Sequence, residues 1–195
     1  LLLEHADEVF RCWEAHKEPK PLRLFLLGTA GTGKTTAVQT ALQELLNKLA
    51  ATGLTRNFIR VAAPTGSAAF SVRFSATTVH RLIRWFNPQF FEELENPEKL
   101  HELQEHLSAT QILLFDEVSM IGRKMMGRIS SRMGQAAADR SPQHETCGVF
   151  SLVCVGDPAQ CQAIFDQRIY MTLWYIPIQT KRHLHKKCCS LTLVW

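Results

Sequence analysis

No stretch of this chain approaches the roughly 18 consecutive apolar residues that a membrane-spanning helix needs, and no bilayer is implied. Excess charge is scarce as well. The 22 Lys and Arg against 18 Asp and Glu leave +4 and a pI near 8.8, compatible with nucleic acid but too mild to argue for it unaided. Much of that excess gathers at Lys181, Arg182, Lys186 and Lys187, whose ordinary reading is a solvated tail. The six cysteines, Cys12, Cys147, Cys154, Cys161, Cys188 and Cys189, form no C-x-x-C pair and no regular spacing. That argues against a disulfide framework and fits reduced thiols in an intracellular compartment. His183, His185, Cys188 and Cys189 make an H-x-H-x-x-C-C cluster, but adjacent cysteines suit a tetrahedral zinc site poorly, and no metal is assigned to it. Internal repeats and low-complexity segments are absent. The three opening leucines run straight into Glu4, Asp7 and Glu8, unlike a basic secretory leader, and the lack of an initiator Met fits a fragment, an incomplete gene model or a degenerate copy alike.

What is present is a soluble globular composition, 46% apolar and 21% charged over 195 residues, enough for one substantial core. Residues 28–35 read GTAGTGKT, a complete G-x-x-x-x-G-K-[ST] phosphate-binding loop, and they follow the apolar run 22–27. In such a loop the glycines let backbone N–H groups face phosphate oxygens, Lys34 reaches the β- and γ-phosphates, and the Thr35 hydroxyl ligates Mg²⁺. The nucleotide-binding candidates are therefore Gly28, Thr29, Ala30, Gly31, Thr32, Gly33, Lys34, Thr35 and Thr36, with ATP and Mg²⁺ as cofactors. No N-K-x-D guanine reader and no L-S-G-G-Q signature occurs, which argues against a GTPase or a transporter ATPase.

Periodicity arranges the rest around that loop. Residues 9–15 suit an amphipathic helix, and the Pro19-Lys20-Pro21 break releases a strand at 22–27. Val38, Ala41, Leu42, Leu45, Leu46 and Leu49 keep a helical period from Thr35 to about Ala51, with Gly53 as the stop. Further strands are expected at 58–63, 112–115 and 149–155, a helix starting at 67–71 and another over 118–138, and a loop at Arg140-Ser141-Pro142. Strands alternating with helices predict an α/β fold, a mainly parallel doubly wound sheet whose ligand crevice lies at the carboxyl ends of its strands. The organisation read from this is a helical lead-in at 1–21, an ATPase domain at 22–165 with a small charged helical insertion at about 85–107, and a basic tail at 166–195 without a recognisable motif.

Asp116 and Glu117 close the apolar strand 112–115, as a Walker B pair does: Asp116 is assigned to the metal and Glu117 to the base that deprotonates the attacking water. The same pair can also serve as an ordinary helix cap. Asp157 and Gln160 close the next strand, where a carboxylate and an amide can face a γ-phosphate, although Gly-Asp-Pro is also common turn chemistry.

Five motifs in order, GTAGTGKT, APTGSAAF at 63–70, TTVHRL at 77–82, LLFDEVSMI at 113–121 and VGDPAQ at 155–160, resemble the Pif-type superfamily-one DNA helicases. The resemblance runs from about residue 22 to 165, nearly all of that family's first RecA-like domain. It implies a P-loop fold of a parallel sheet flanked by helices, ATP-driven 5′-to-3′ unwinding of DNA, and roles in DNA repair, recombination and telomere or genome maintenance, in the nucleus or mitochondrion if the source is eukaryotic. By the same resemblance Lys34, Glu117 and Gln160 are catalytic, Thr35 and Asp116 hold the metal, and Pro64, Thr65, Gly66, Thr77, Thr78 and His80 contact single-stranded DNA. Taken alone, His80 reads more readily as a structural histidine.

Two departures stand out. Where the family usually continues Gln-Leu-Pro-Pro this chain has Gln160-Cys161-Gln162-Ala163, and the glutamine that reads adenine ahead of the first strand has no clear counterpart, His5 lying near its place. The second RecA-like domain that completes such a motor has no counterpart after about residue 170, and its arginines are expected from outside this sequence. The competing expectation is a nucleotide- or DNA-binding remnant without turnover.

Overall fold

The computed structural model describes residues 1–85, 91–138, 140, 147–164, 166–169 and 191–194. Six strands, β1 (Arg23–Leu27), β2 (Ile59–Ala63), β3 (Thr77–Thr78), β4 (Ile112–Phe115), β5 (Ser151–Gly156) and β6 (Leu191–Val194), form one sheet in the order β3-β2-β4-β5-β1-β6. Every neighbouring pair is parallel. Because side chains alternate across a strand, the sheet feeds two cores. Phe25, Leu113, Phe115, Leu152 and Cys154 pack with α4 (Val79–Leu82), α5 (Pro97–Leu107) and α6 (Arg123–Ala136). Leu24, Ile59, Val61, Ile112, Leu114, Val153 and Val155 pack with α1 (Leu2–Glu14), α2 (Lys34–Thr52) and α3 (Gly66–Val72). The fold is the expected one, a RecA-like P-loop sheet flanked by helices.

Local chemistry explains the element ends. Gly53 ends α2 at φ 70, a left-handed turn that glycine takes without a Cβ penalty. Asn96 caps α5 by accepting from the amides of Glu98 (2.9 Å) and Lys99 (3.3 Å), with Pro97 at the first helical position. This helix is the helical part of the expected insertion; 91–96 ahead of it is irregular.

Three expectations need correction. The first helix starts at Leu2 rather than at 9, because Leu2, Leu3, Ala6, Val9 and Phe10 make one apolar stripe against β1 and α2. The single helix expected over 118–138 is instead a short 3₁₀ turn, Val118–Met120, then an extended Gly122 (φ −85, ψ 174), then α6. Gly122 bridges Arg168, and the Asp166 carboxylate accepts from the amides of Lys124 and Met125, so α6 has its own cap and start. Finally, the end of the expected tail runs beside β1, with Arg23 level with Leu191 and Leu26 with Val194. Lys181, Arg182, Lys186, Lys187, the cluster of His183, His185, Cys188 and Cys189, and Ser141 and Pro142 lie outside the described residues. Among the described residues no helix is long and apolar enough to cross a membrane.

Candidate functional site

The sheet order places β5 between β1 and β4, with Leu27 level with Gly156 and Phe115 level with Cys154. The three segments that follow these strands, beginning at Gly28, Asp116 and Asp157, therefore emerge side by side at the carboxyl edge. One contact ties the phosphate loop to the end of β5, and another ties the acidic turn to β2. The Gly28 amide donates to the Gly156 carbonyl at 3.3 Å, and the Asp116 amide donates to the Ala62 carbonyl at 3.0 Å. Gly156 has no room for a side chain: a Cβ there would lie 2.9 Å from Val118 Cγ1 and 3.1 Å from the Val118 amide nitrogen.

The phosphate loop has the backbone its sequence demands. Gly31 and Gly33 take φ of 78 and 81, a region that L side chains seldom enter, and Gly33 leads directly into α2. Thr29 anchors the loop through its carbonyl, which accepts from the Thr32 hydroxyl at 2.8 Å and from Lys34 Nζ at 2.7 Å. Ala30, Thr35 and Thr36 are exposed, the two threonines on the first turn of α2. That turn carries no acidic residue and no side-chain cap, so the positive end of a 19-residue helix faces the loop unopposed.

The carboxylates sit in an environment that works against their charge. Asp116 is 9% exposed, and burial raises its pKa, offset in part by a backbone hydrogen bond at Glu117 and by Lys34. Burial also raises Glu117, reinforced by Asp116 and Asp157 and opposed by Lys34. Glu117 adopts φ 51 and ψ 43, a left-handed conformation that is uncommon for a glutamate and turns the chain from β4 into the 3₁₀ turn. Asp157 is buried and organises its own loop: its carboxylate accepts from the Ala159 amide at 2.8 Å and its carbonyl from the Gln160 amide at 3.2 Å, leaving Gln160 exposed. Among the described residues, no three His, Cys, Asp or Glu side chains stand close enough to hold a metal by themselves.

Two residues here escaped the sequence reading. Gly156 matters through the close packing just described. Ser119 is fully buried next to it, and its Oγ has no hydrogen-bond partner among the described residues. A serine in the turn after an acidic pair was the only signal for it.

The segments assigned to a nucleic-acid strand also meet. β2 and β3 pair with Ala63 level with Thr78, so Pro64, Thr65 and Gly66 leave the sheet beside Val79 and His80. Both threonine hydroxyls have local duties: Thr65 Oγ1 accepts from the Ala68 amide at 3.2 Å and Thr78 Oγ1 from the Arg81 amide at 3.3 Å. Thr77 is half-buried. The His80 ring stacks on Trp85, centroids 4.9 Å apart, and the Arg128 guanidinium lies 4.6 Å over the Trp85 ring. Burial, then Arg128, lowers the His80 pKa. His5, the residue nearest the adenine-reading position, is instead buried against the sheet, with Nε2 2.7 Å from Ser151 Oγ.

The model of the AAA domain family matches residues 18–182. An unliganded Pif1 from Bacteroides sp superposes with a TM-score of 0.54 at 25% identity, covering 88% of this chain and 35% of that one. Pif1 helicase from Candida albicans gives 0.54 at 20%, covering 85% and 35%. A Bacteroides Pif1 helicase in complex with ADP-AlF3 and single-stranded DNA gives 0.54 at 23%, covering 89% and 36%. This chain thus spans little more than a third of the length of the solved chains it matches. No curated protein matches it significantly in sequence. The family match over most of its length leads to one assignment, and the shared fold is that of the corresponding part of the Pif1 helicases: the chain belongs to the AAA domain family.

Proposed function

We propose that this chain is the nucleotide-binding motor domain of an ATP-dependent DNA helicase moving 5′ to 3′, which uses Mg²⁺-ATP and works with a second RecA-like domain. The observation that carries the reading is the convergence of Lys34, Asp116, Glu117 and Asp157 at the ends of three adjacent strands, close enough that each carboxyl of the Asp116–Glu117 pair feels Lys34. The Bacteroides and Candida neighbours are Pif1 helicases, one of them solved with a nucleotide analogue and single-stranded DNA. Roles in DNA repair, recombination and telomere maintenance, and a nuclear or mitochondrial address, follow only by extension of that resemblance.

The phosphate loop binds through its backbone amides, and Lys34 leaves the Thr29 carbonyl to neutralise the β- and γ-phosphates. Thr35 and Asp116 are the residues that would hold Mg²⁺. Their fit is chemical: a hydroxyl on the first turn of α2 and a carboxylate at the end of β4 offer hard oxygen ligands, with no self-sufficient acidic cage among the described residues. When bound, Mg²⁺ neutralises charge on the phosphate oxygens. Glu117, its pKa raised, takes the proton of the attacking water. Gln160, which is exposed beyond Asp157, senses the γ-phosphate and reports it outward. Pro64, Thr65, Gly66, Thr77 and Thr78 grip the strand by backbone and hydroxyl groups, with little base preference. His80 supports that grip from its stack on Trp85.

ATP turnover measured with and without single-stranded DNA, and with a second motor domain of a relative supplied by fusion, tests the proposal. Turnover that rises with both is expected, since an arginine from outside a phosphoryl-transfer site adds about 10³ to 10⁵ in rate. Tight nucleotide binding with no turnover even in the fusion would make this a binding module instead.

A further inference from the structure

Phe70 is 87% exposed, although α3 buries Ala69 and Val72 to 5% and 0% on its inner side. The residues exposed near it on the helix, Gly66, Ser67 and Ser71, are small, so nothing on its own helix shields the ring. Directly after α3, Arg73, Phe74 and Ser75 take φ of 67, 52 and 57. Three successive non-glycine residues in the left-handed region are costly backbone, retained here in the tight return that lays Thr77 and Thr78 beside Ala62 and Ala63. Phe70 therefore stands on the short link joining the two segments assigned to a nucleic-acid strand. Residues 45–91 contain no Asp or Glu and carry Lys48, Arg56, Arg60, Arg73, Arg81 and Arg84, of which Lys48 pairs with Asp7 and Arg84 with Glu102. Arg73, three residues from Phe70, is exposed.

We propose that Phe70 is a stacking platform for one unpaired base of a bound single strand, with Arg73 contacting the adjoining phosphate. The inference rests on the reading of this chain as a single-strand-binding motor domain. An isolated aromatic ring with small polar neighbours on its helix and an exposed arginine three residues on suits a nucleobase, whose π-face stacks without sequence choice and whose backbone is anionic. A protein partner would call for a wider apolar patch.

The test is equilibrium binding of fluorescent oligodeoxythymidine, and of the same strand with abasic positions, to the unaltered chain and to Phe70→Ala, Phe70→Trp and Arg73→Ala. Phe70→Ala should bind oligodeoxythymidine about ten-fold more weakly, the scale of one lost base–aromatic stack, and should no longer distinguish it from the abasic strand. Phe70→Trp should retain affinity. Arg73→Ala should reduce the magnitude of the salt slope by about 0.7, the share of one phosphate on a single strand, whereas Phe70→Ala should leave it unchanged. Equal affinity of Phe70→Ala and the unaltered chain would overturn the platform while leaving the proposed function standing. A change in self-association of Phe70→Ala with DNA affinity intact would also overturn it, assigning the ring to a second copy. No binding of either strand by the unaltered chain would remove the proposed function itself.

Discussion

The amide of Gly28 donates to the carbonyl of Gly156 across 3.3 Å, tying the first residue of the phosphate loop to the last residue of β5. On its other side Gly156 touches Val118, so this one glycine spaces the phosphate loop from the acidic turn. Gly156→Ala puts a methyl group 2.9 Å from Val118 Cγ1 and 3.1 Å from its amide nitrogen. Overpacking of this kind costs about 1–3 kcal/mol. Urea unfolding should show that loss, and nucleotide affinity should fall with it as the turn carrying Asp116 and Glu117 shifts.

Glu117→Gln keeps the shape of the site and removes its base. Nucleotide should still bind while DNA-stimulated turnover collapses by about 10² or more. Burial and the neighbouring Asp116 raise the Glu117 pKa, so in the unaltered protein turnover should fall on the acid side at a pH above the ordinary glutamate range. A folded-state carboxyl pKa above the unfolded one also means that the native state holds more protons in that window, and stability contributed there declines as pH rises. Glu117→Gln should consequently be no less stable at neutral pH, a point that thermal unfolding checks.

His5, His80 and His106 give stability the opposite pH dependence. Burial lowers all three, with Glu8 partly opposing it at His5, Arg128 adding to it at His80, and Arg60, Arg84 and Arg81 adding to it at His106. Below about pH 6.5 the unfolded chain binds protons that these neutral rings refuse, so the native state loses stability as pH falls from there toward the folded-state values. The thermal midpoint should drop between pH 7.5 and pH 5.5. Replacing His5 by Gln, which keeps a partner for Ser151, should shrink that drop.

Asp166 reaches the start of α6 from the segment that follows the VGDPAQ motif, accepting from Lys124 at 2.9 Å and Met125 at 3.2 Å. Its slight burial pushes its pKa up, but the amides of Lys124, Met125 and Gln167 outweigh this and hold it below the usual aspartate range. Asp166→Ala should cost about 0.5–2 kcal/mol, as losing a helix cap does, and Asp166→Asn should recover much of that in the same denaturation series. In the unaltered protein the capping contribution persists above the unfolded aspartate pKa and is lost as pH falls through the lowered folded value.

What the sequence revealed follows from how local each feature is. β4 was readable to the residue because a strand buried on both faces is a continuous apolar run, and α2 because its apolar period lies within it and its Gly53 stop directly follows it. The break inside 118–138 was not readable: it depends on a left-handed Glu117 and on Asp166 arriving from beyond β5 to cap a separate helix. β6 was missed because its partner, β1, lies near the opposite end of the chain. In the site, the loop and the acidic pair were recognisable from residue type and spacing. The stack of His80 on Trp85 under Arg128 was not, because Arg128 comes from α6. His5 lies near the adenine-reading position in sequence and is a weak substitute there, and its bond to Ser151 commits it to the interface of α1 and β5.

Calorimetric titration of Mg²⁺-ATP into the unaltered chain and into Lys34→Ala tests the central claim most directly, that residues 28–35 with Asp116 and Glu117 form a nucleoside triphosphate site. Lys34 supplies the ammonium that the phosphates require, and in this structure it is held by the Thr29 carbonyl at 2.7 Å within the loop. Saturable one-to-one binding by the unaltered chain and its loss in Lys34→Ala is the predicted result. Equal affinity in the two proteins, or no binding by the unaltered chain, would contradict the account.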